Sequence, residues 1–220
     1  SSFKNWEKII NDGFDYSKLF NEIKIENKNQ ATRVYLKQFL SSLENENPFT
    51  IATCADLVSS TNVAIGNKTI LEGGQSLPIG IREFAMGAIV NGVTLYGAGF
   101  RIIGGTFLVF ADYIKSAIRL GAMMKIPAIY AFTHDSYLVG GDGPTHQPYD
   151  QLPMLRAIDN LNVYRVADEE ELRFAMIEAY SSKENSSVLV LSRQNIKSLN
   201  VNLTFKQFKK GAYIVKDCKN

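Results

Sequence analysis

Short apolar runs alternate with helix-length segments along almost the whole of this 220-residue chain. Between the runs, apolar residues at helical spacing predict helices at 29–45, 81–93, 105–124, 152–158 and 169–183. The apolar runs themselves predict strands at 49–56, 93–99, 126–133, 162–168 and 186–192, and an edge strand at 211–215. Strands that are apolar on both faces and joined by helices are typical of a parallel sheet. We therefore expect an open α/β fold, a mostly parallel sheet with helices on both faces.

Composition argues against several classes of partner. The 24 basic and 22 acidic residues leave a formal charge of +2, without the long basic block that favours nucleic acid. No apolar run approaches the roughly 20 residues that span a bilayer, and the N-terminus lacks a signal-peptide pattern. Cys54 lies in an apolar run far from Cys218, which favours a buried free thiol over a disulfide. We therefore expect neither a nucleic-acid nor a membrane partner. The free thiol indicates a reducing compartment, and we expect the cytoplasm.

The first 28 residues differ from the rest of the chain. They are polar, rich in Asn, Lys and Glu, and lack sustained periodicity. We interpret residues 1–28 as a lead-in or linker, and residues 29–220 as one domain of a longer protein.

Polar residues follow three of the predicted strands. Asp56 follows the first strand, His134 and Asp135 follow the third, and Arg193 follows the fifth. Ligands of open parallel sheets bind outside the carboxyl ends of the strands. We therefore expect these four side chains along one edge of the sheet, where each could instead cap a turn or pair with a surface charge.

The loop at 131–150 contains both histidines of the chain, His134 and His146, among three glycines and two prolines that favour a fixed irregular path. Its residue types suit a metal, but the two histidines are too far apart for the helical spacing of common zinc motifs. Ser136 is not in the G-x-S-x-G motif of a nucleophilic hydrolase. Recognition of a sugar or polyol, with an arginine binding a phosphate, uses all of the residue types at this edge.

Five motifs resemble one family, the transketolases, in the order and spacing of the middle, pyrimidine-binding domain. They are "ATR" (31–33), "GIREFAMGAIVNG" (80–92), "GGTFLVFADY" (104–113), "THDSYLVGGDGPTHQP" (133–148) and "LSRQN" (191–195). The resemblance runs from about Ala31 to the C-terminus. It implies a thiamine diphosphate-dependent enzyme of the pentose phosphate pathway that transfers a two-carbon ketol unit from a ketose phosphate to an aldose phosphate.

The resemblance implies a cofactor role for five residues. Glu83 matches the family's catalytic glutamate, which hydrogen-bonds a ring nitrogen of the cofactor's aminopyrimidine. Phe107, Phe110 and Tyr113 match the aromatic pocket that stacks on the pyrimidine, although their spacing alone equally fits a helix core. Asp56 resembles an acid that meets the cofactor region across a subunit interface.

A second set of residues is implied to bind the substrate, a sugar phosphate. One group would hold the phosphate: Arg33, Ser60, His134 and Arg193. Asp142 and His146 would contact the donor's hydroxyls near the bond that breaks. With Glu83, the two histidines are the catalytic candidates that the resemblance implies, and we expect no metal ligand in this chain.

The resemblance also implies parts that this sequence lacks. The diphosphate and its Mg²⁺ or Ca²⁺ would be bound by a diphosphate-binding domain of a partner subunit in a homodimer, and that domain and the C-terminal domain are absent. The 220-residue chain is therefore expected to be inactive alone. A non-catalytic subunit of a split enzyme is the alternative of a different class.

Three departures from the family pattern stand out. Phe84 follows the catalytic glutamate where the family commonly has His, and residues 140–142 are Gly-Gly-Asp where Gly-Glu-Asp is common. The "SSTN" segment is looser than the family norm, which makes Ser60 the weakest assignment. Deoxyxylulose-phosphate synthase is the alternative within this cofactor class, but "THDS" at 133–136 favours transketolase over its usual Asp-Arg-Ala.

Overall fold

A computed structural model describes residues 2–25 and 29–217, with the backbone alone at residues 2–5 and 45. Short 3₁₀ helices lie at Ile70–Glu72, Leu108–Phe110 and Pro144–His146. The strands are β1 (Thr50–Cys54), β2 (Ser76–Pro78), β3 (Arg101–Phe107), β4 (Ile129–Thr133), β5 (Leu161–Arg165) and β6 (Ser186–Val190). The α-helices are α1 (Ser2–Asp12), α2 (Tyr16–Glu22), α3 (Thr32–Glu46), α4 (Val58–Thr61), α5 (Glu83–Tyr96), α6 (Ala111–Met123), α7 (Gln151–Arg156), α8 (Glu169–Ser181) and α9 (Phe205–Phe208).

The six strands form one sheet in the order β2-β1-β3-β4-β6-β5, and every pairing is parallel. This confirms the predicted α/β class. Because the strands run the same way, β1, β4 and β6 deliver the residues that follow them to one edge. Asp56, His134 and Arg193 therefore lie at the carboxyl edge of the sheet, as predicted.

Two hydrophobic cores cover the two faces of the sheet. On one face α2, α3 and α8 pack against inward residues of the strands, such as Ile103 and Leu189. On the other face α5, α6 and α7 pack against residues such as Ile102 and Val190. Neighbouring residues along one strand thus belong to opposite cores, which explains why the strands are apolar without alternation.

The strand predicted at 93–99 is wrong. Helix α5 continues through this segment to Tyr96 and ends at Gly97, whose φ of 66° is accessible to glycine. The strand is β3, whose first four residues (101–104) the prediction leaves unassigned and whose last three (105–107) it places in a long helix. The prediction fails because Gly104 and Gly105 weaken a strand pattern. Tertiary packing requires them, since a Cβ at Gly105 would lie 2.5 Å from the Val63 side chain.

Other differences lie near the ends of the chain and in the connector. The edge strand predicted at 211–215 is wrong, because this segment forms no strand, and β2 was missed within the glycine-rich connector. Within the segment predicted as a lead-in, α2 packs into the core, where Phe20 is completely buried and Tyr16 almost completely buried against α3 and α8. That residues 1–28 link this domain to a preceding one stays a prediction.

Two predictions about composition can be compared with the structure. Cys54 is a buried free thiol, and Cys218 lies outside the described residues. Across residues 2–25 and 29–217, no helix is sufficiently long and apolar to cross a membrane.

Candidate functional site

Two of the predicted site residues adopt a left-handed backbone directly beyond their strands. His134 follows β4 with a φ of 59°, and Asp56 lies beyond β1 with a φ of 61°. This region costs a residue with a Cβ roughly 1–3 kcal/mol, so it persists only where surrounding contacts impose it. The turns direct the chain out of the sheet at the edge where a ligand would bind.

Aromatic and imidazole rings form a connected cluster at this edge. Phe107 and Phe110 stack with ring centroids 5.8 Å apart, and Tyr113 lies 6.0 Å beyond Phe110. The His134 ring stacks on Phe107 at 3.6 Å, while His146 meets Phe110 edge-on at 5.4 Å. Two of the three aromatic residues predicted as a cofactor wall, Phe107 and Phe110, thus also position the two imidazoles.

A cavity of about 540 Å³ opens beside this cluster. This volume is in the range of about 300–1,000 Å³ that is usual for small-molecule sites. Its lining brings together five of the predicted residues with three apolar neighbours: Asp56, Glu83, Phe110, Tyr113 and His146, with Ala55, Leu57 and Ile81. Phe107 does not line the cavity, because its ring lies behind Phe110 and against His134.

Glu83 supplies a carboxyl to the cavity from the first position of α5. Its side chain is buried, with 7% of the residue exposed, and no group among the described residues hydrogen-bonds the carboxyl. The carboxyl of this largely buried residue opens onto the cavity, where a bound ligand could complete its hydrogen bonds. The position is therefore suited to a ligand that offers a polar ring atom.

A second group of residues surrounds His134 and carries net positive charge. The Arg33 guanidinium donates a hydrogen bond to the Ser60 carbonyl, so it is the Ser60 main chain that Arg33 contacts. Burial, followed by the nearby Arg193, lowers the pKa of Arg33. The Arg33 Nε is buried and has no hydrogen-bond partner within the described part of the chain. Two arginines with an unused donor form a suitable environment for an anion.

His134 is neutral in this environment. Burial, and to a lesser degree the charges of Arg33 and Arg193, lower the pKa of its imidazole to about 4, while Asp142 opposes them. The Thr133 hydroxyl lies 2.8 Å from His134 Nδ1, leaving the Nε2 side for another partner. A neutral imidazole can donate a hydrogen bond to an anion, and can take up a proton when that anion binds.

The loop that carries Asp142 is exposed and lies over Arg193. Gly140 has a φ of 85°, and a Cβ built there would come within 2.8 Å of the Arg193 guanidinium. Thr145 lies beside His146, with 2.9 Å between its hydroxyl and Nδ1. The structure thus brings the loop residues and the two arginines to one side of the cavity.

Several residues of the site were not predicted. Leu57 and Ile81 line the cavity, but as isolated apolar residues they carry no sequence signal beyond that of a core or surface position. Arg165, at the end of β5, pairs with Asp135, with 3.1 Å between Nε and Oδ2. Over the described ranges, no three His, Cys, Asp or Glu side chains are grouped to hold a metal ion.

The fold is a parallel α/β domain whose sheet edge carries a carboxyl-bearing cavity with an aromatic wall, near two arginines. The family model for "Transketolase, pyrimidine binding domain" matches residues 28–198. The chain belongs to this family, as its motifs predicted.

Known relatives extend the comparison to the full length of the chain. A transketolase of Mycoplasma genitalium is 48% identical, over 99% of this chain and 34% of the relative. The crystal structure of the transketolase of Campylobacter jejuni superposes with a TM-score of 0.88 and 35% identity, over 100% of this chain and 34% of that one. A transketolase of Pichia stipitis in complex with sedoheptulose 7-phosphate superposes with a TM-score of 0.87 and 32% identity, over 99% and 34%. The chain therefore spans about a third of the length of these proteins.

Proposed function

We propose that the chain forms the pyrimidine-side half of a thiamine diphosphate-dependent transketolase site. The observation that carries this proposal is the buried, unpartnered Glu83 carboxyl in a cavity with an aromatic wall. An aminopyrimidine fits these groups, because it is flat, stacks on aromatic rings and offers a ring nitrogen to a carboxyl. Phe110 and Tyr113 would supply the stacking surface, and Asp56 and His146 the polar rim.

The residues of the chain have distinct roles in this proposal. When bound, thiamine diphosphate supplies the carbon that attacks the carbonyl of the donor sugar. The Glu83 carboxyl would hydrogen-bond a ring nitrogen of the pyrimidine, and the apolar lining around it would keep water from competing for that hydrogen bond. His146, at the cavity rim, is positioned to hydrogen-bond a donor hydroxyl, with Asp142 as a further acceptor.

The cationic group would bind the phosphate of the sugar phosphate. Arg33 and Arg193 provide the charge, His134 a neutral donor, and Ser60 lies beside Arg33. The Pichia stipitis relative binds a sugar phosphate, sedoheptulose 7-phosphate, and this supports our proposal of the same substrate class here. Ketol transfer between sugar phosphates is the reaction that we propose for the parent protein.

The proposal also assigns a partner to the mouth of the cavity. Ile81, Phe84 and Tyr113 are apolar or aromatic, lie at or beside this mouth and are more than half exposed. Such a rim favours a covering protein surface over water. We assign the covering surface to the diphosphate-binding domain of a partner subunit in a homodimer. We assign the Mg²⁺ or Ca²⁺ to the same domain. The free thiol of Cys54 supports a cytoplasmic location.

The direct test is a ketol-transfer assay with xylulose 5-phosphate, ribose 5-phosphate, thiamine diphosphate and magnesium. The chain is assayed alone, and after addition of a polypeptide that carries the diphosphate-binding domain. We expect activity in the mixture and none from the chain by itself, because each polypeptide supplies only part of the site. Absence of activity from a mixture in which both polypeptides are folded and associated would contradict the proposal and favour a non-catalytic subunit.

A further inference from the structure

An ion pair joins the ends of two strands that are not neighbours. Arg165, the last residue of β5, donates from Nε to Asp135 Oδ2 at 3.1 Å, and Asp135 follows β4 by two residues. Since β6 lies between β4 and β5, the pair spans the carboxyl end of β6, from which the chain leads to Arg193. The pair thus ties the segment that carries His134 to the end of β5, across the strand that leads to Arg193.

The Asp135 carboxylate depends on Arg165. Its side chain is only 11% exposed, whereas that of Arg165 is 43% exposed. The other carboxylate oxygen, Oδ1, is buried and has no hydrogen-bond partner within the described residues. Without Arg165, neither oxygen would keep a protein partner, and a largely buried carboxylate in that state is expected to move toward water. That movement would displace residue 135.

His134 would respond to such a displacement, because its conformation is imposed from outside. Its backbone is left-handed, with a φ of 59°. The Thr133 hydroxyl lies 2.8 Å from Nδ1 of the imidazole, and the Phe107 ring stacks on it at 3.6 Å between centroids. The following residue, Asp135, is held by Arg165. We propose that Asp135 and Arg165 are positioning residues that fix the His134 imidazole for an anionic ligand, an inference that rests on the proposed phosphate subsite.

The geometric part of this proposal can be tested without any ligand. The chain has only two histidines, so the His134 ring signals can be assigned by NMR from a His146→Asn sample. The stacked Phe107 ring shifts the His134 ring protons upfield. Arg165→Met should remove much of this shift, Arg165→Lys should restore part of it, and Arg119→Met, an exposed arginine of α6, should leave it unchanged. If Arg165→Met fails to fold, Asp135→Asn gives the same test, and an unchanged shift in a folded variant overturns the proposal.

The functional part is tested with inorganic phosphate as the probe, in the same samples. Arg165→Met should weaken phosphate binding about tenfold, since small misplacements of a binding group have large effects. Arg165→Lys should retain most of the affinity. Equal affinity in Arg165→Met and wild type overturns the positioning role and leaves the proposed function intact. Failure of wild type to bind phosphate refutes the proposed subsite, and the ring shift still decides whether Arg165 holds His134.

Discussion

Replacement of His134 by Asn should make the stability of the chain less dependent on pH. Folding lowers the pKa of this imidazole from 6.5 to about 4, chiefly by burial. The unfolded chain takes up the proton at higher pH than the folded chain. The contribution of the neutral His134 to the free energy of unfolding is therefore full above pH 6.5 and is lost as pH falls toward 4. The difference between the two pKa values corresponds to about 3 kcal/mol, as an upper bound.

The assay is urea unfolding of wild type and His134→Asn at pH 7 and pH 4.5. At pH 4.5 most of the contribution is gone, so wild type should lose about 2 kcal/mol more than the variant between the two conditions. Asn is a suitable replacement, because it tolerates the left-handed backbone at this position. The comparison cancels the protonation of carboxyl groups that both proteins share. An equal loss in both proteins would refute the argument that His134 is held neutral by burial.

Two further substitutions test the packing. Gly105→Ala should destabilise the chain by about 1–3 kcal/mol in urea unfolding, because its Cβ would meet the buried Val63; Gly92→Ala, at an open helix position, should instead stabilise it by about 0.5–1 kcal/mol. An unchanged free energy of unfolding in Gly105→Ala would show that β3 has room for a side chain. Phe20→Ala should cost about 3–5 kcal/mol, since the ring packs edge-on against Phe39 and Tyr180, and a cost under 1 kcal/mol would return α2 to the status of a linker.

The sequence predicted those parts of the fold whose local pattern and tertiary role agree. Strands such as β4 and β6 are apolar because both faces of the sheet are covered, so their pattern was sufficient. In β3 the two requirements conflict, because Gly104 and Gly105 disfavour a strand locally while the side chains of Val90 and Val63 leave no space for a Cβ. A single sequence records the first of these facts and not the second.

The site was predictable to a different degree. The common edge of Asp56, His134 and Arg193 followed from the predicted parallel direction of the strands. The roles of Glu83 and the aromatic residues came from resemblance, since an acid at a helix N-terminus is more simply explained by the helix dipole. The contact of Arg165 with Asp135 joins residues 30 positions apart across an intervening strand, and no local pattern predicts it.

The most direct test of the account is the turnover of the assembled, thiamine diphosphate-loaded protein carrying Glu83→Gln. An amide cannot take the role that we propose for the carboxyl, which is to share a proton with the pyrimidine, so ketol transfer should fall at least about 100-fold. Glu184→Gln, which removes an exposed carboxylate between α8 and β6, should match wild type. Near-normal turnover in a folded Glu83→Gln protein would contradict the central claim that this carboxyl serves the cofactor.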